Sequence, residues 1–278
     1  MPFCRSSDGT RIHYVSIGEG EPLIMIQGFS WDLTAWHFQL ELAYRYKLVL
    51  IDNRGGVGRS DKPEAPYTME AFADDVRSVL ESEGIASASV LGFSMGGMIA
   101  QSLALRYPDL VDSLVLVSTM PRLETSQSID ARYIEGVMKM YDDYGTFLST
   151  QVNIAFSEHW IESNRDVYEN FGRLRYELRM PQHAYLNQLM SMQTDLSQKI
   201  GSISVPTTVF HGDSDRLVPQ SSGRRLFEMI PGSRFLVFRG GAGHAIHIER
   251  CYEFNRRVIE HMDMFRNGIF RREGPVMV

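Results

Sequence analysis

Residues 90–101 read Val-Leu-Gly-Phe-Ser-Met-Gly-Gly-Met-Ile-Ala-Gln, an apolar run interrupted by one hydroxyl among glycines. A strand ending at Phe93 and a helix beginning at Met95 leave no room for a loop, so Gly92 and Gly96 must let backbone approach backbone. Such a turn pushes the Ser94 side chain out over the strand end, where the start of the helix supplies partial positive charge. That is the setting of a nucleophile. The plain alternative is a glycine-rich turn in which Ser94 caps the helix.

A serine hydroxyl attacks only when a base takes its proton, and the base works best when an acid orients it. Two later segments offer those groups. Residues 211–219, His-Gly-Asp-Ser-Asp-Arg-Leu-Val-Pro, carry Asp213 and Asp215, and residues 240–244, Gly-Gly-Ala-Gly-His, carry His244; each follows an apolar run. Asp213, directly after Gly212, equally suits a turn held by its own side chain. His247 stands three residues past His244, but no third ligand at a convincing spacing joins the pair, so neither metal nor cofactor is expected. The expectation for His247 is a helix-start residue satisfied locally. His13, His37, His159, His183, His211 and His261 are read as structural. The oxyanion formed by attack on a carbonyl would take backbone donors from Met95 and from Phe29, where Gly28 bends the chain; a plain strand end is the other reading of Gly28.

These groups need a platform. Apolar runs without alternation at 22–27, 47–52, 88–93, 113–118, 206–211 and 233–238 read as strands covered on both faces. Helical periodicity at 69–83, 94–107, 221–229 and 249–265 alternates with them, which implies right-handed crossovers and a mainly parallel sheet: an α/β fold with helices on both faces. Residues 10–17 alternate like a strand and 18–21 supply a turn, so a hairpin is expected there. From 120 to 203 the alternation stops, and helices rich in Met, Tyr and Arg are expected, among them 133–144, 146–156 and 183–192. The domain reading is a core of residues 1–119 and 204–278 with a helical cap over 120–203, inserted where ligands bind such sheets. Met138, Met140, Tyr141, Phe147, Trp160, Tyr185, Met190 and Met192 would make an adaptable apolar roof, or simply pack the insertion. The tail from 267 has no clear period and is expected to be flexible.

The 278 residues, 44% of them hydrophobic, are enough for a sizeable core. A net charge of -6, with no run of Lys and Arg to track phosphates, argues against a nucleic-acid partner. Cys4 and Cys251 have no short-spaced partners and are expected to be free thiols. No segment reaches the roughly 18 uninterrupted apolar residues of a membrane span, and the first residues lack the apolar stretch of a signal peptide. The expected location is therefore the cytoplasm, without a membrane partner. Oligomeric state is not legible.

Together these residues resemble the α/β-hydrolase superfamily, specifically its lidded serine hydrolases such as esterases, 3-oxoadipate enol-lactonases and cofactor-free haloperoxidase-like enzymes. The likeness extends over nearly the whole chain. Residues 52–61, Asp-Asn-Arg-Gly-Gly-Val-Gly-Arg-Ser-Asp, are similar to the family's D-x-R-G-x-G-x-S turn with one residue more, and Gln27-Gly28 stands where the family usually has His-Gly. The resemblance implies an eight-stranded type of sheet, a scaffold role for Arg54, and Asp215 rather than Asp213 as orienting acid. It completes a catalytic set of Ser94, Asp215 and His244 with Phe29 and Met95 at the oxyanion hole. The implied reaction is cleavage of carboxylic esters or lactones of small, largely apolar molecules. C–C bond hydrolysis is one alternative on the same triad. Another is a small-substrate aminopeptidase, with Glu158, Glu162 or Asp166 holding an ammonium. A non-catalytic small-ligand receptor on the same fold is the reading from a different class. Serine at 94 disfavours relatives with an aspartate nucleophile.

Overall fold

The computed structural model describes residues 2–123 and 131–278, so residues 124–130 of the expected cap lie outside the described residues. Nine strands form one sheet: β1 (Phe3–Arg5), β2 (Arg11–Ile17), β3 (Glu21–Ile26), β4 (Tyr46–Ile51), β5 (Ala88–Phe93), β6 (Val111–Val117), β7 (Thr207–Gly212), β8 (Arg234–Phe238) and β9 (Glu273–Met277), in the order β1-β2-β4-β3-β5-β6-β7-β8-β9. From β4 to β9 every neighbouring pair is parallel; β1 with β2 and β2 with β4 are antiparallel. Strands β5, β7 and β8 are buried at every residue, as expected where both faces of a sheet are covered.

The α-helices of the core are α1 (Met69–Glu83) and α2 (Met95–Arg106) before the insertion. Within the insertion follow α3 (Ala131–Asp142), α4 (Tyr144–Phe147), α5 (Glu158–Ser163), α6 (Arg165–Glu177) and α7 (Gln182–Ser191), and after it α8 (Gln220–Met229), α9 (Ile246–Glu249) and α10 (Cys251–Arg266). Helix α1 shows local signals at both ends: the Thr68 hydroxyl accepts from Ala71 N–H at 3.0 Å, and Gly84 takes the left-handed φ of 65° that closes the helix. A 3-10 segment, Leu33–Tyr44, which periodicity did not reveal, follows β3. Asp52 anchors it at the end of β4, its carboxylate accepting from Leu33 N–H (2.9 Å), Arg59 N–H (2.9 Å) and the His13 ring (2.6 Å).

Two expectations fail. The hairpin between residues 10–17 and 22–27 does not form, because β2 pairs with β4 while β3 runs parallel between β4 and β5. Strand β3 is fully buried from Leu23 to Ile26 and needs a neighbour on each side, whereas β2 turns exposed toward its end, as suits a strand nearer the edge. Gly18 and Gly20, at φ of 82° and 106°, let the chain step past β4 instead of folding back. The tail also forms a strand: Glu273–Met277 pairs with β8, and the Arg234 guanidinium holds Glu273 at 2.7 Å. Main-chain pairing, which has no hydrophobic period, orders this segment.

Parallel register aligns the carboxyl ends that matter: Ile26 lies opposite Gly92, Phe93 opposite Val117, Val117 opposite Phe210 and Gly212 opposite Phe238. The turn after β5 works only with glycine. A Cβ on Gly96 would stand 2.2 Å from the Ile26 carbonyl oxygen, and one on Gly92 2.3 Å from the Gly96 oxygen. Gly96→Ala should cost about 3 kcal/mol or more, since backbone on both sides has nowhere to go. Gly136→Ala, in helix α3 with nothing within 4 Å, should stabilise by about 1 kcal/mol. Urea denaturation of the two variants checks the contrast.

Candidate active site

Three non-glycine residues among those described take left-handed backbone angles, and each follows a strand on the same sheet edge: Ser30 (φ 58°) after β3, Ser94 (φ 53°) after β5 and Ser118 (φ 46°) after β6. Such angles cost of order 1–3 kcal/mol each and persist only where surroundings enforce them, which is why they cluster at functional sites. Ser94 is held by its own N–H donating to Val117 O at 2.8 Å and by Thr119 Oγ1 donating to Ser94 O at 2.6 Å. A Cβ on Gly97 would meet Thr119 at 2.6 Å, so the second glycine behind the serine is also required.

The structure brings Asp215 and His244 together. His244 Nδ1 lies 2.8 Å from Asp215 Oδ2, and since the carboxylate only accepts, Nδ1 carries a proton, so that in the neutral ring the lone pair is on Nε2. Both side chains are buried, and the other oxygen of Asp215 accepts from Leu217 N–H (2.9 Å) and Val218 N–H (2.8 Å). Burial alone would raise the Asp215 pKa, but His244 and His211 outweigh it and hold the carboxyl well below the usual range. Asp213 sits instead in the exposed turn, accepting from Gly240 N–H at 3.1 Å.

Ser94 and His244 open onto one cavity of about 340 Å³ at the carboxyl ends of the strands. Ser94 Oγ makes no hydrogen bond among the described residues. The expected oxyanion donors flank it: Met95 is the first residue of α2, Phe29 lines the same cavity, and neither N–H has an acceptor among the described residues. Gly28 is pressed against the elbow, its missing Cβ 3.1 Å from both the Phe93 ring and Ser94 Cβ. Gln27 Oε1 accepts from Gly28 N–H at 3.3 Å, so the amide does brace this loop.

Arg54 lies within the scaffold, buried and hydrogen-bonded to Asp75 at 2.6 Å and to Asp8 at 2.6 Å. The reading of His247 holds for its place, in the first turn of α9, but not for its contacts. Its ring is fully buried among Trp31, Trp36, Phe93 and Phe254, and neither nitrogen finds a partner among the described residues. Aromatic packing, not local hydrogen bonding, holds it. Of the eight residues expected as a roof, Tyr185 and Met192 line the cavity, whereas Met140, Tyr141 and Phe147 are buried elsewhere and Met190 is half exposed.

Sequence reasoning missed four groups. His211 Nε2 donates to Val218 O at 2.9 Å and lies 3.3 Å from Asp215 Oδ2, so it is a second neighbour of the acid. Glu249 ties the histidine loop to the insertion, accepting from Ser157 N–H (2.8 Å), Ser157 Oγ (2.8 Å) and Gly243 N–H (3.2 Å). Arg175 and Gln188, on α6 and α7, both hydrogen-bond Ser30. One signal was present: Gly28-Phe29-Ser30 repeats the tripeptide Gly92-Phe93-Ser94, and in both the serine takes a positive φ, although Gly92 and Phe93 end β5 while Gly28 and Phe29 lie beyond β3.

A sequence profile of the alpha/beta hydrolase fold matches residues 21–250. The chain belongs to the alpha/beta hydrolase family. It is 30% identical over 256 residues to the pimeloyl-[acyl-carrier protein] methyl ester esterase of Chromobacterium violaceum, covering 89% of this chain and 96% of the esterase. It is 26% identical to the non-heme chloroperoxidase CPO-A1 of Kitasatospora aureofaciens, over 95% of this chain and all of that one. The crystal structure of the enol-lactonase from Burkholderia xenovorans superposes with a TM-score of 0.84 at 25% identity, covering 94% of this chain and 100% of the lactonase. Among the described residues no helix is long and apolar enough to cross a membrane, and no group of three metal-ligating side chains occurs.

Buried imidazoles make the fold sensitive to acid. Burial, then the charge on His244, pushes the His247 pKa from 6.5 down to about 3; burial, then Arg234, does the same for His261. Because these folded-state values lie below the unfolded one, the unfolded chain binds protons first: the stability is complete above about pH 6.5 and is lost progressively toward pH 3. Between pH 7 and pH 4.5 the loss should be on the order of 2–3 kcal/mol per imidazole. Urea midpoints at the two pH values measure it, and His247→Phe, which fits the aromatic box, should shrink the difference; an unchanged pH slope would refute the assignment.

Proposed function

We propose that the protein is a serine hydrolase that cleaves carboxylic esters or lactones of small, uncharged, largely apolar molecules through an acyl-enzyme on Ser94. The observation that carries this reading is the buried Asp215–His244 hydrogen bond at 2.8 Å beside a cavity that Ser94 also lines. His244 Nε2 takes the Ser94 proton as Oγ bonds to the substrate carbonyl carbon, and the Phe29 and Met95 N–H groups receive the oxyanion. Collapse breaks the ester C–O bond, and His244 returns the proton to the leaving alkoxide. Water, deprotonated by the same imidazole, then releases the acid and restores Ser94, while Asp215 holds the ring in one tautomer throughout.

The cavity walls support the substrate class. Trp31, Met120, Ile154, Leu189, Met192 and Val218 line it, and among the described residues none that lines it is Asp, Glu, Lys or Arg. A substrate ammonium or carboxylate would enter without a counter-charge, at a desolvation cost of several kcal/mol. Glu158, offered for an aminopeptidase, is largely exposed and pairs with Arg216, and neither Glu162 nor Asp166 lines the cavity. The helical insertion, which contributes Ile154, Tyr185, Leu189 and Met192, takes the part of a cap. The esterase and lactonase among the relatives point the same way.

A fluorophosphonate probe should label the wild type and not Ser94→Ala. Ser94→Ala and His244→Ala should each lower p-nitrophenyl ester turnover by roughly 10⁴-fold while melting near the wild type. Neutral acyl esters should be turned over and amino-acid anilides not. A wild type that stays unlabelled yet binds a small apolar ligand would mark a receptor instead. Loss of turnover in His247→Ala but not in His244→Ala would place the base wrongly.

A further inference from the structure

Every polar group of Ser30 is taken by the helical insertion. Its N–H donates to Gln188 Oε1 at 3.0 Å, its carbonyl accepts from Arg175 Nη2 at 2.7 Å, and its hydroxyl lies 2.8 Å from the same nitrogen. Ser30 directly follows Phe29 and holds a left-handed φ of 58°. No residue of the core sheet contributes a hydrogen bond to it among those described. The loop that aims the Phe29 N–H is thus bent at a strained residue whose conformation α6 and α7 enforce.

Neither partner is placed for its own stability. Arg175 is buried, and no carboxylate lies within hydrogen-bond reach of its guanidinium among the described residues; desolvation pushes its pKa down to about 10. The guanidinium instead lies over Trp31 at 5.0 Å and Phe171 at 5.5 Å, and its Nε has no partner among the described residues. Asp32 acts on the guanidinium through space but does not hydrogen-bond it; a buried cation without a hydrogen-bonded anion is costly, and an apolar side chain would ordinarily serve a packing role better. Gln188, also fully buried, spans two loops: it accepts from Ser30 with one end and donates to the Arg54 carbonyl at 2.8 Å with the other. Arg54 is itself fixed by Asp75. Through Gln188 the oxyanion loop is referenced to the rigid turn after β4 rather than left to its own torsions.

We infer that Arg175 and Gln188 are positioning residues that set the oxyanion hole, so that the insertion completes the catalytic apparatus as well as roofing it. This inference rests on the hydrolase reading. A donor to the oxyanion contributes only when preorganised, and removing one typically costs about 10²- to 10³-fold in kcat. Loosening the loop that aims it should therefore cost roughly 10- to 100-fold in kcat with KM nearly unchanged, because the contact matters in the transition state more than in the ground state.

The experiment compares wild type, Arg175→Met, Arg175→Lys and Gln188→Leu, with kcat for a p-nitrophenyl ester normalised to sites titrated by fluorophosphonate. Affinity for an alkylboronic acid, whose tetrahedral adduct on Ser94 places an oxygen in the hole, should fall in parallel with kcat, and Arg175→Lys, which keeps one donor, should lose less than Arg175→Met. Gln188→Leu carries no buried charge and provides the test if Arg175→Met folds poorly. Titrated variants with wild-type kcat and boronate affinity, whatever their melting temperature, would show a structural role only and overturn the inference. A wild type that the fluorophosphonate does not label would instead sink the hydrolase reading itself.

Discussion

Strain at three strand ends organises this molecule. Ser30, Ser94 and Ser118 each hold a left-handed φ that a serine adopts at a cost, and they stand side by side on one edge of the sheet. What enforces the middle one is backbone contact: the first turn of α2 lies so close to β3 that Gly96 faces the Ile26 carbonyl with no space for a methyl group. Strand, turn and helix cannot relax separately. The third serine steadies the histidine loop, since Ser118 Oγ donates to the His244 carbonyl at 2.8 Å.

The helical insertion reaches the loops around this edge by different means. Gln188 and Arg175 hold the loop after β3; Arg216, from the acid loop after β7, donates to the Asn153 and Phe156 carbonyls at 2.8 and 2.9 Å; Ala245 N–H, next to His244, donates to Ala155 O at 2.9 Å. Apart from the Arg216–Glu158 pair, these are hydrogen bonds to main chain or between buried groups, which depend on geometry and little on ionic strength. This edge of the sheet is clamped between the strands that end there and the helices hydrogen-bonded to its loops.

Much of this was legible because the signals are local. Continuous apolar runs marked the parallel strands, and the glycines around Ser94 marked the tight turn, since each follows from the conformation of a few consecutive residues. Long-range pairing was not. That β2 joins β4 and that the tail joins β8 depends on which edges are vacant, and Arg11–Ile17 or Glu273–Met277 alone carry no record of it. The same holds for the site. Asp215 and His244 announce themselves by residue type and loop position, whereas Arg175 looks like one more exposed arginine on an amphipathic helix until the fold buries it against Trp31. The local hydrogen bonds expected for His247 failed because its aromatic box is built from Trp31, Trp36 and Phe93, remote along the chain.

The hydrocarbon walls of the cavity carry a further consequence for discrimination. Surfaces such as Ile154, Leu189 and Met192 sense the volume of a guest and little else, and one methylene group buried against them is worth about 0.8 kcal/mol, or roughly fourfold. Apolar guests that differ by single methylene groups are therefore separated by small, graded steps until one outgrows the chamber.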